Sequence, residues 1–115
     1  MNATQFRNFL VSLGACNAAM DWADGKTFAD TWSECDRADW LLWLCGKMAD
    51  KPGWPTRKQV VLAACDCAET ALKFVPDGEG GPRKCLEVVR AWAAGNATLD
   101  DVREARRAAS AYAAA

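Results

Sequence analysis

The side chains with the most chemical potential in this chain are six cysteines, at positions 16, 35, 45, 65, 67 and 85, in a sequence without histidine. Structural zinc sites are built mostly from Cys-x-x-Cys pairs or mixed Cys/His sets. Neither occurs here. Cys65 and Cys67 stand two positions apart, and on a helix their side chains point about 200° apart, so they cannot share a metal. The cysteines therefore read as small buried hydrophobes, a common role for free thiols. Spacing leaves open a disulfide between distant members of the set. The missing histidine also removes the usual near-neutral acid and base, and the usual partner of a cysteine nucleophile. Ser12, Ser33 and Ser110 lie in no nucleophile-elbow setting, and "DGEGGPRK" at 77–84 lacks the glycine spacing that cradles a phosphate. The expectation is a protein that is not an enzyme and carries no metal or cofactor.

Binding chemistry is the remaining option, and charge and aromatic residues carry it. Trp54 sits in "KPGWP" beside Lys51, Arg57 and Lys58. An aromatic with basic neighbours on a loop suits an interface hot spot, or else the ring folds back to cap the core. Glu79, Arg83, Glu87 and Arg90 either converge on a partner or form a solvated row of ion pairs. Asp21, Asp24 and Asp30 form either an acidic face for a basic partner or a solvated one. Asp36, Arg37 and Asp39 combine helix capping with a local ion pair, or bind a cation or a partner arginine. A nucleic-acid surface would draw on Arg57, Lys58, Arg83, Lys84, Arg90, Arg103, Arg106 and Arg107. The formal net charge of −1 argues against it.

The elements that must position these residues are helical. With 115 residues, 51% hydrophobic and 25% charged, the chain suits a single globular domain, 1–115. Phe6, Phe9, Leu10 and Leu13 recur at helical spacing up to Gly14. Cys16, Ala19, Met20 and Ala23 continue it to a stop at "DG", 24–25. "TFAD" at 27–30 and "TLDD" at 98–101 are capping boxes. "DWLLWLC" at 39–45 is apolar on all sides, which predicts a central helix buried all round. Thr56 should cap a second largely buried helix running to about Val75, with Val61, Cys65, Ala68 and Leu72 in one apolar row. Pro82 suits the first turn of the next helix, which Gly95 ends. Val102, Ala105, Ala109 and Tyr112 share a face of the last. No stretch alternates as a strand does, and none approaches the length of a membrane span. The fold class expected is all-α, one bundle of about six or seven helices. With no basic leader ahead of an apolar run, the expected compartment is the cytoplasm, with thiols reduced.

The stretches "GACNAAMDW", "DRADWLLWL" and "VPDGEGGPRKCLEVVRAWAAG" resemble the small immunity proteins linked to bacterial polymorphic toxin systems, whose relatives also occur in phages and prophages. The matching positions are Gly14–Cys16, Asp39–Leu44, Pro76–Glu79, Leu86–Glu87 and Trp92–Gly95, within a resemblance that covers roughly residues 10–110. Gly-Pro-Arg at 81–83 departs from the Arg-Pro order of that pattern. The resemblance implies a non-enzymatic inhibitor that binds a toxin or a defence-system effector directly, as an immunity protein or as a phage counter-defence protein of the anti-CRISPR kind. A helical nucleic-acid-binding or regulatory protein is the alternative.

Overall fold

Short polar side chains ahead of an apolar run decide where several of the helices begin. The structure, a computed structural model, describes the backbone of residues 1–76 and 78–114 and side chains up to residue 111. Four helices start on reciprocal capping boxes. In α1 (Ala3–Leu13) the Asn2 side chain accepts from the Gln5 N–H at 2.8 Å, and Gln5 Oε1 accepts from the Asn2 N–H at 2.9 Å. Thr27 and Asp30 do the same for α3 (Phe28–Glu34), after α2 (Asn17–Ala23). α4 spans Ala38–Lys47. Thr56 and Gln59 open α5 (Arg57–Glu69), which a 3₁₀ turn, Leu72–Phe74, follows. α6 is Gly81–Ala93 with Pro82 in its first turn, and Thr98 with Asp101 caps α7 (Leu99–Ala114). The architecture is all-α, seven α-helices with no strand among the described residues.

The chain divides into two compact units, Met1–Lys47 and Met48–Ala115. The first holds α1 to α4. Gly14, at φ +80°, takes the left-handed conformation that ends α1 and returns its N–H to Leu10 and Val11 carbonyls, and α2 packs back on α1. Phe6, Leu10, Ala23, Thr31 and Leu44 are the buried residues, with Phe6 only 1% exposed. The Phe6 ring meets Phe28 edge-on at 5.8 Å. The buried Thr31 hydroxyl donates to the Thr27 carbonyl at 3.1 Å, so its burial leaves no polar atom unsatisfied.

In the second unit α6 packs on both α5 and α7. Gly81 makes the α6–α7 approach close: a Cβ there would stand 3.5 Å from the Ala109 backbone. Val102, Ala105 and Ala109 are half-buried, as their shared face predicts, whereas the Tyr112 side chain lies outside the described residues.

Two expectations need correction. α4 is not buried all round: Leu44 is its buried residue, and Trp40, Leu41, Leu42 and Trp43 are half-buried. The three other helices of the unit are short and lack the surface to wrap it on every side. α5 stops at Glu69 rather than near Val75, and Cys65 is its buried residue, with Leu62 40% exposed. The Thr70 hydroxyl donates to the Cys67 carbonyl at 2.6 Å, and the N–H groups of Thr70 and Ala71 shift to i−3 partners, which tightens the chain out of the α-helix.

Candidate functional site

Side chains that could meet a ligand gather in one place in each unit. In the first, α1, α2, α3 and α4 surround a cavity of about 310 Å³. Phe6, Leu10, Trp22, Trp40, Trp43 and Leu44 give it apolar walls, and Cys16, Thr31, Cys35 and Asp39 supply its polar atoms. The Trp22 and Trp40 rings lie 6.1 Å apart at 58°. Each cavity tryptophan carries a cation of this chain: Lys26 Nζ is 5.0 Å from the Trp22 ring, the Arg37 guanidinium 4.4 Å from Trp40, and Lys47 Nζ 5.8 Å from Trp43. Two of those cations are also matched by carboxylates. Lys26 meets Glu34 at 2.6 Å, and Arg37 forks both oxygens of Asp39, at 2.9 and 2.6 Å. Those hydrogen bonds hold the Asp39 carboxyl below the ordinary carboxylate value. The sequence reading of Arg37 and Asp39 as a local ion pair matches this geometry, whereas the tryptophan cavity was hidden by reading "DWLLWLC" as core.

The acidic residues of this unit have separate tasks. Asp21 is exposed on α2. Asp24 meets Arg7 at 3.5 Å. Asp30 belongs to the α3 capping box, and the Thr27 N–H and hydroxyl hold its carboxyl below the ordinary value.

In the second unit, a turn places Trp54, Arg57 and Lys58. Asp50, at φ +68°, donates its N–H to the Pro55 carbonyl at 2.9 Å, and its side chain accepts the Arg57 N–H at 3.0 Å. Asp50 thus closes the loop onto the start of α5. Trp54 is half-buried inside this closed turn, with its backbone N–H on the Lys51 carbonyl at 2.9 Å, while Arg57 and Lys58 are exposed. Glu79, Arg83 and Glu87 are also exposed. Arg90 is pulled away from them. Its guanidinium reaches across to α5 and bonds Asp66 at 3.0 Å and Glu69 at 3.2 Å. Those bonds lower the Glu69 carboxyl from its ordinary value. The expected row on α6 is therefore a clamp between helices at its Arg90 end. The i, i+3 and i, i+4 spacing within α6 could not reveal this, because the partners lie more than twenty positions upstream. A more open hollow between α6 and α7 is lined by Lys84, Glu87, Val88, Ala91, Asp101 and Glu104, among others.

All six cysteines are free. Burial raises the thiol pKa values of Cys45 and Cys65. Among the described residues no three Cys, Asp or Glu side chains converge as a metal site would require, and no helix is long and apolar enough to cross a membrane.

In comparison with known families, the model described as "Imm-5 like putative immunity protein" matches residues 54–115. No curated protein and no solved structure matches the chain. The matched stretch begins at Trp54 and takes in α5, α6 and α7. Of the motifs that carried the resemblance, Pro76–Glu79, Leu86–Glu87 and Trp92–Gly95 fall inside it, and Gly14–Cys16 and Asp39–Leu44 fall outside.

Proposed function

We propose that this chain, which belongs to the Imm-5 like immunity protein family, is a non-enzymatic inhibitor that neutralises a partner toxin by binding it. The family match over 54–115 is the observation that carries the reading. Inhibition by occlusion asks for a preformed surface of mixed polarity and needs no cofactor. In this reading the partner meets the second unit, through Trp54, Arg57 and Lys58 on the closed turn and through Glu79, Arg83 and Glu87 on and before α6. Arg90 holds α6 to α5, so it keeps that surface in register. The acidic set Asp21, Asp24 and Asp30 plays a lesser part, because Asp24 and Asp30 already serve internal bonds. The free thiols agree with action in the cytoplasm.

The test begins with the tagged protein isolated from its own source, and identification of what co-elutes. The isolated partner is then assayed alone and with increasing amounts of this protein. The expected result is loss of the partner's toxic activity with an end point near equimolar. A partner whose activity survives an excess of the protein sinks the reading. A partner belonging to a phage-defence system, inhibited in the same way, would replace toxin immunity with counter-defence.

A further inference from the structure

The tryptophan cavity lies in the first unit, outside residues 54–115, and the inhibition above makes no use of it. Its volume of about 310 Å³ is at the lower end of the range typical of small-molecule sites, and its walls are apolar and aromatic with few polar atoms, as such sites are. The surroundings say what would fill it. Lys26, Arg37 and Lys47 engage Trp22, Trp40 and Trp43, yet none of the three lines the cavity, so the cations orient the rings without entering the space. The charges nearest those rings are matched in pairs, Lys26 with Glu34 and Arg37 with Asp39. Asp39 is the one carboxylate in the lining, and Arg37 occupies both its oxygens. A charged ligand would find no unmatched counter-charge on the Trp22 and Trp40 side, where Lys26 and Arg37 are already paired. A flat ring would find Trp22 and Trp40 tilted at 58°, able to meet it by offset and edge-on contact.

We propose that this cavity binds an uncharged planar aromatic molecule of about indole size, packed against the walls that Trp22 and Trp40 present to it. Cys16 lines the cavity and is exposed, so it stands at the mouth and reports occupancy. Cys67 is exposed on the other unit and serves as the internal control.

The experiment alkylates the intact protein with and without indole and follows each cysteine by mass spectrometry. Indole near its solubility limit should slow Cys16 several-fold and leave Cys67 unchanged, whereas tryptamine and indole-3-acetate at the same concentration should protect far less. Ala19→Phe fills the cavity from α2 and should abolish the protection. Should that variant lose its helical circular dichroism, calorimetric titration of the unaltered protein with indole decides the matter without it. Equal slowing of Cys16 and Cys67, equal protection by the charged analogues, or neither heat nor protection overturns the proposal. So does protection of Cys16 by a bound protein partner but not by indole, which would make the cavity a docking pocket for that partner.

Discussion

Side chains whose partners are near in sequence follow from local chemistry, and those whose partners are distant do not. Arg37 and Asp39 are two apart, and the ion pair follows from sequence. Arg90 meets Asp66 and Glu69 across two helices, and no local pattern points there. Free cysteines were expected to be buried alike, yet Cys16 and Cys67 are exposed and Cys65 is buried with its thiol pKa raised. At mildly alkaline pH, iodoacetamide should therefore modify Cys67 well before Cys65, a ranking that mass spectrometry reads directly; equal rates would contradict the packing around Cys65. Leu44 is 4% exposed, and Leu44→Ala should cost about 2–5 kcal/mol in a urea titration. Four carboxyls, those of Asp30, Asp39, Glu69 and Asp101, are lowered from ordinary values of 3.8 for aspartate and 4.5 for glutamate, each chiefly by hydrogen bonds it accepts. A lowered folded pKa means the unfolded chain binds more protons. That stability is complete above the ordinary values and is lost as pH falls through the depressed ones. The urea midpoint should hold steady down to about pH 5 and decline below about pH 4.

Helix boundaries show how far local rules reach. The boxes at Thr27 and Thr98 and the cap at Thr56 lie where the sequence pattern predicts, because capping is satisfied within four residues. Thr56→Ala should cost about 1 kcal/mol while leaving the denaturant m-value unchanged, and Thr56→Ser should restore most of it. An unchanged midpoint in the alanine variant would mean that α5 is held by its packing on α6 alone. The Asn2–Gln5 box escaped the pattern because asparagine stands where the usual capping box has serine or threonine. The end of α5 escaped for a different reason. Apolar periodicity continues through Leu72, and what stops the helix is the Thr70 hydroxyl on the Cys67 carbonyl, an alternative that periodicity does not weigh.

At the scale of the whole molecule, two compact units divide the candidate chemistry between them. The second carries the family match and the mixed-charge surface, and the first carries the aromatic cavity. Arg83→Glu combined with Glu87→Lys should weaken binding to the neutralised partner tenfold or more without changing the far-ultraviolet circular dichroism, since both side chains are exposed. Asp21→Asn should leave that binding unchanged. The reverse outcome, with Asp21 critical and the α6 pair silent, would move the interface to the first unit.

Sequence alone determined the helical class, most helix starts and the family resemblance, since each rests on residues within a turn or two of one another. It also set cysteine spacings that suit no common zinc motif, while leaving a disulfide between distant cysteines open. Tertiary structure decided which faces of those helices are covered. "DWLLWLC" is as apolar as a core helix, but the three other helices of its unit cover only part of its circumference. What remains open on its tryptophan side is a cavity that Phe6, Leu10, Trp22 and Thr31 of the other helices also line. The clamp of Arg90 on α5 is likewise a product of α6 lying beside α5, an arrangement set by packing between segments far apart in the chain.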